Sequence, residues 1–248
     1  MLSLAPSIAA VTVRELRAYF LTPLAYVFIA IFLLALGAFT FEIGGFFRLG
    51  QASLSSFFVF HPWLYVVFMP AVAMRLWADE SRSGGLELLL SLPTPVWAIV
   101  AGKFLAAWAV AGAALLLSTP MWMTVAWLGS PDNAAILITY LASFLMAGAY
   151  LAVACVLSAL TSSSVIAFVL SAAVCFVITA AGLPLVASGV ASAFGPGAAD
   201  ALAMLSTLRH FETAQSGVLE LRAVIYFLSL IALCLYLTSL AVDARRER

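Results

Sequence analysis

Long apolar runs divided by short polar breaks set the pattern of this chain. A helix that crosses a hydrocarbon core of about 30 Å needs roughly 20 mainly apolar residues. Stretches of that kind fall at 24–41, 57–77, 95–127, 134–160, 165–187 and 223–242. The first ends at Glu42 and the Gly44-Gly45 pair. Thr94 as a cap and Pro95 at the first helical position open the third, which is expected to kink at Pro120. No charged residue occurs from Asn133 to Ala199, a length that fits two crossings split by Thr161-Ser162-Ser163-Ser164. The expected fold is all-α and integral to the membrane, with six transmembrane helices in a single domain over 1–248.

The polar remainder forms three features. Residues 8–20 predict an amphipathic helix lying in the interface: Ile8, Val11, Leu16, Tyr19 and Phe20 share one arc, with Arg14 and Arg17 opposite. Glu15 intrudes on the apolar arc, either as a snorkelling or solvated charge or as a partner for Arg75 or Arg82. The second feature is the loop 78–94. Asp79-Glu80-Ser81-Arg82 reads as a charged turn, Ser83-Gly84-Gly85 as a flexible break, and Leu86 to Leu92 as a short amphipathic helix carrying Glu87, closed by Pro93-Thr94-Pro95. Such a segment is either an ordinary charged loop or a unit that receives force from another protein. The third is Leu183 to Leu221, too polar to cross and too apolar for a plain linker. A short helix is expected over 198–208, and His210, Glu212, Glu220 and Arg222 form either a gate or a solvated loop whose ion pairs contribute less than about 1 kcal/mol.

Composition sharpens the picture. The chain is 65% hydrophobic and 9% charged, with mean hydropathy +1.16, far from the roughly quarter-charged composition of soluble domains. It carries 11 basic and 11 acidic side chains, so bulk charge points to no nucleic-acid partner. Six of these lie between Met74 and Phe104: Arg75, Asp79, Glu80, Arg82, Glu87 and Lys103. Arginine and lysine placement then sets orientation. Cytoplasmic termini put Arg14, Arg17, Arg75, Arg82, Lys103, Arg245, Arg246 and Arg248 inside, and only Arg48, Arg209 and Arg222 outside. Both termini and the 78–94 loop are therefore expected in the cytoplasm.

Several chemistries find no motif. The one lysine, Lys103, precedes Phe104, so no GxxxxGK[ST] phosphate loop exists. Neither GxSxG nor HExxH occurs. Cys155, Cys175 and Cys234 sit in apolar runs without CxxC spacing and are expected to be buried, so no metal site is read. His61 and His210 are both expected at the outer boundary, which excludes a bis-histidine haem site. No ionisable residue is expected deep in a span, which disfavours an ion-coupled carrier. The N-terminus lacks the pattern of a cleaved signal peptide.

The run Met74–Ala106 resembles the coupling segment of ABC type-2 permeases. It supplies Arg75, Asp79-Glu80, Arg82, Gly84, Glu87, Leu88 to Leu90, Pro93 and Gly102-Lys103-Phe104, departing from the family pattern at Gly85 and Pro95. Two further stretches resemble the gliding-motility type of permease. One is Arg14-Glu15-Leu16 with Tyr19-Phe20, Pro23 and Ala25-Tyr26-Val27-Phe28. The other is His210-Phe211-Glu212 with Ser216-Gly217-Val218, Glu220, Arg222 and Ile225 to Ser229.

This resemblance implies a non-catalytic subunit of an ABC exporter in a bacterial inner membrane, paired with a second permease copy and two copies of an ATPase that binds ATP and Mg. Asp79, Glu80, Arg82, Gly84, Glu87 and Leu88 would couple to that ATPase. His210, Phe211, Glu212, Glu220 and Arg222 would cap an outer gate built of short re-entrant helices, where a periplasmic auxiliary protein could join. The alternative is a component that passes ATP-driven motion to periplasmic partners through 183–222 without moving a small molecule.

Overall fold

The computed structural model describes residues 4–50, 52–83 and 94–246. Helix α1 (Leu4–Leu21) is followed at Pro23 by α2 (Pro23–Ala38), which runs into a π turn over Phe39–Ile43. Two short helices, α3 (Phe46–Leu49) and α4 (Ser55–Phe58), lead to α5 (His61–Ala73) and α6 (Arg75–Ser83). Then come α7 (Val96–Leu117), α8 (Pro120–Leu128), α9 (Asn133–Leu160) and α10 (Ser164–Ala180). Three helices follow, α11 (Pro184–Phe194), α12 (Pro196–Met204) and α13 (Thr207–Gln215), before α14 (Leu221–Arg246). Among the described residues there is no strand.

Among the described residues, five helical runs are long and apolar enough to cross a membrane: 25–48, 55–82, 96–128, 133–160 and 221–245. A sixth is counted if α10 and α11, which meet at a 77° bend, form one broken span. The bend falls before Pro184, whose ring bars a continuous helix. The third run divides into α7 and α8 at Pro120, where Ser118 Oγ turns back to donate to the Leu115 carbonyl at 2.7 Å.

The bundle is built around α9, which packs against α5, α6, α7, α10, α13 and α14. Lipid tails give no hydrophobic drive between helices, so close approach depends on small side chains. α9 supplies them as Ala142, Ser143, Ala147, Gly148, Ala149 and Ala152, all fully buried. At Gly148 an added Cβ would come within 2.8 Å of the Trp108 ring, so the bare backbone admits the indole. That indole stacks on Phe144 at 4.4 Å and donates to the Phe144 carbonyl at 2.9 Å. Asp132 caps the start of α9, its Oδ1 accepting from the Ala134 and Ala135 amides.

Three sequence expectations are corrected. Asp79 to Arg82 is not a turn but the second half of α6. In place of one helix over 198–208 there are α12 and α13, broken at Leu205-Ser206. His61 is not an interfacial residue. It is wholly buried, surrounded by Phe57, Phe58, Phe32, Tyr65 and Phe211, with Nδ1 2.8 Å from Ser143 Oγ. His61 opens α5 and Lys103 is the eighth residue of α7, so both ionisable side chains are buried in the bundle near a helix start rather than midway along a run.

Candidate functional site

α6 is tied at its start to a partner far away in sequence. The helical run bends at Met74, one turn after Pro70, which has no amide proton to donate inside α5. A helix starting there leaves its first amides without carbonyls. Ser158 of α9 fills the gap. Its hydroxyl accepts from the Trp77 and Ala78 amides at 3.2 and 3.3 Å and donates to the Met74 carbonyl at 3.1 Å. On the other side of the bend, Tyr19 of α1 donates its phenol to the Val72 carbonyl at 3.1 Å. Burial pushes that phenol well above its ordinary pKa, so it acts as a neutral donor.

Beside this bend sits Lys103, the eighth residue of α7, about 10 Å along the axis from the helix start. Its side chain is 2% exposed. Nζ donates to Glu80 Oε1 at 2.6 Å and to the Leu76 carbonyl at 3.1 Å, and lies 5.2 Å from the Trp77 ring centroid. Glu15 Oε2 stands 3.6 Å from Nζ, and Glu15 in turn takes Arg14 at 2.7 Å. Glu15 thus finds neither Arg75 nor Arg82, and it is not a solvated charge. Its partners are Arg14 and Lys103. The four charges alternate in sign from Arg14 through Glu15 and Lys103 to Glu80, which makes a buried ammonium tolerable.

The exposed side of α6 carries different groups. Arg75 pairs with Asp79 one turn on, at 2.6 Å. Arg82 is exposed, and Arg245 near the end of α14 reaches the Ser81 hydroxyl. Arg17 is exposed and makes no ion pair among the described residues. Glu15, Ala18, Tyr19, Arg75, Glu80 and Lys103 line a cavity of about 220 Å³. α1 is held beside it because Gly102 has no side chain: a Cβ there would come within 2.7 Å of Val11. Of the residues expected to couple to an ATPase, Asp79 and Arg82 face outward and Glu80 faces Lys103. Gly84, Glu87 and Leu88 lie outside the described residues.

At the far end of the bundle the expected gate residues separate. Phe211 is fully buried against His61. His210 stacks on Tyr226 at 4.3 Å, with Nε2 3.1 Å from the Met204 carbonyl. Glu212, Glu220 and Arg222 are exposed and form no ion pair with one another. Partial burial still raises the Glu212 carboxyl above the ordinary range, against the opposing pull of Arg209.

Three residues that matter here were not singled out from the sequence as site residues: Ser158, Tyr150 and Ser143. Tyr150 Oη bonds to Thr179 Oγ1 at 2.6 Å and to Thr207 Oγ1 at 2.8 Å, tying α13 to α9 and α10. Ser143 joins His61 and Tyr65, each at 2.8 Å. Thr139, Ser143 and Tyr150 fall within a narrow arc of α9 at 100° per residue, a polar stripe in a span otherwise free of charge. That stripe is the signal that could have found two of them.

The geometry is one short charged helix, anchored at Ser158 and braced by a buried lysine, at one end of an apolar bundle. No curated protein matches the chain. The family model described as ABC-2 family transporter protein matches residues 55–244, a stretch that begins at α4 and takes in α6, Lys103 and almost all of α14. ABC-2 permeases are generally non-catalytic transmembrane components that work with an ABC ATPase subunit, and this chain belongs to that family as a multi-pass membrane permease.

Proposed function

We propose that this chain is the membrane subunit of an ATP-driven exporter, working in a bacterial inner membrane beside a second permease copy. A separate nucleotide-binding subunit holds ATP and Mg and docks on the segment from Asp79 to Leu90, in the cytoplasm with both termini. Closure of the ATPase pair moves α6, and the bundle converts that motion into an opening at the far end. By reciprocity, substrate occupancy biases ATP hydrolysis.

The observation that carries this reading is the arrangement of α6. Asp79 and Arg82 present charge outward, where a partner can grip, while Glu80 on the same short helix reaches inward to Lys103 of a span. A purely solvated loop has no reason to bury one of its charges against a transmembrane helix. Docking thus falls to Asp79 and Arg82, continued by Glu87, and transmission to Glu80.

The test is co-purification of the chain with an ATPase, followed by Asp79→Lys with Arg82→Glu. Substrate-responsive ATPase activity should vanish while the permease stays folded. Normal coupling in that double variant would overturn the reading.

A second reading keeps support from the far end. Leu185, Phe194 and Leu205 are large apolar side chains there, each at least 64% exposed, a surface suited to a periplasmic partner. In this reading the chain passes force to that partner and moves no small molecule. Vesicle assays separate the two, because only the exporter shows ATP-dependent substrate movement.

A further inference from the structure

We propose that Lys103 is a two-partner switch, which exchanges Glu80 for Glu15 when α6 moves. The force that moves α6 is the one assigned under the proposed function, and the inference rests on that reading for its trigger alone.

Lys103 lies where two units meet. α1 and α7 form one of them, since α1 is seated on α7 at the Gly102–Val11 contact. Glu15 and Lys103 therefore travel together. Glu80 belongs to α6, which packs against α5, α9 and α10 and is anchored at its first turn by Ser158. Any tilt of α6 about that anchor displaces Glu80, on the second turn, more than Leu76 or Trp77 near the pivot.

Withdrawal of Glu80 would cost the buried ammonium its shortest counter-charge contact, and a buried ammonium with none is far costlier than a paired one. The second carboxylate removes that obstacle. Glu15 Oε2 is already 3.6 Å from Nζ, against 2.6 Å for Glu80 Oε1, so a side-chain rotation of about 1 Å closes the gap. The cavity of about 220 Å³ between these groups gives both carboxylates room to move. Arg14 holds Glu15 in reserve at 2.7 Å, and its own side chain is 51% exposed, so water replaces Glu15 at little cost when it swings inward. Two discrete pairings, each satisfying the lysine, form the kind of bistable element that a transmitted stroke requires.

The test uses the full chain in lipid nanodiscs and a hydrophobic carbodiimide, which joins a carboxylate to an amine in direct contact. Mass spectrometry then reads which glutamate is joined to Lys103. The wild type should give mainly the Lys103–Glu80 amide. Glu80→Gln should raise the Lys103–Glu15 amide several-fold, and an unchanged yield would overturn the proposal.

Stability supplies a second readout. Glu15→Gln and Glu80→Gln should each lower Tm modestly, and the double variant by more than their sum, because only the double strands the lysine. Additive losses would overturn the proposal. If the double variant does not fold, adding Lys103→Met should restore it, and failure of that rescue also counts against the switch. Where an ATPase co-purifies, trapping it with ATP and vanadate should shift wild-type cross-links from Glu80 to Glu15. Retention of the Glu80 product in the trapped complex would overturn the exchange. Absence of any ATPase would sink the functional reading instead, and leave the nanodisc experiments to decide the switch.

Discussion

The phenol of Tyr150 and the hydroxyl of Thr207 meet at 2.8 Å with no solvent exposure on either side, joining the central helix α9 to the far-end helix α13. Tyr150→Phe removes this bond and the one to Thr179, although Thr179 keeps its bond to the Cys175 carbonyl at 2.7 Å. The expected loss is about 0.6–2 kcal/mol, the range for buried side-chain hydrogen bonds in helical membrane proteins. Thermal unfolding in detergent measures it. Amide exchange should rise across 196–215 and stay unchanged at Lys103, which tells a loosened far end from general unfolding.

Ser143→Ala and His61→Leu should not behave alike. The serine serves both His61 and Tyr65, so its removal leaves two buried polar groups without a partner and is expected to cost about 2–3 kcal/mol. Removing His61 leaves Ser143 bonded to Tyr65 and deletes a ring whose Nε2 already has no hydrogen-bond partner. That loss should stay under about 1.5 kcal/mol. Unfolding curves of the two variants side by side decide the order, and a reversed order would refute this account of the cluster.

Ser158→Ala should weaken α6 specifically. The two amides and one carbonyl that Ser158 serves are buried at the bend, and leaving them unserved costs about 1–3 kcal/mol. Limited proteolysis near Ser83 should quicken, while global Tm falls by only a few degrees. By contrast Asp79→Asn breaks an exposed i,i+4 pair and should change stability by less than about 0.5 kcal/mol. Any effect of that variant on coupling would then report on docking.

Gly102→Val should lift α1 away from α7. Its Cβ would fall 2.7 Å from Val11 Cβ and 3.2 Å from the Ile8 carbonyl, too close for either to hold its place. A penalty of about 1–3 kcal/mol is expected, with loss of cross-links between engineered cysteines on the two helices. Val11→Ala in the same chain should recover part of the loss.

The apolar runs made the helical class and most helix positions readable, because crossing length and hydropathy are local properties of the chain. The match to the ABC-2 family accords with the resemblance drawn from Arg75, Glu80 and Gly102-Lys103-Phe104, while nothing in it bears on the gliding-motility subgroup. What the sequence hid are pairings over long separations. Asp79 to Arg82 has the composition of a turn, yet Ser158 and Lys103 hold it helical from 20 to 80 residues away. His61 beside Pro62 reads as a boundary residue until α13 brings Phe211 over it. Glu15 looked out of place on an apolar arc because its lysine lies on another helix.

Arg245 bonds Ser81 of α6, and Glu15 meets the lysine that holds Glu80 of that helix, so segments near both ends of the chain brace α6. Counted as one broken span, α10 and α11 bring the candidate crossings between Ser81 and Arg245 to four, an even number consistent with that contact. Groups in direct contact share one membrane depth, so α6 lies level with the segments that brace it, whichever way the chain inserts.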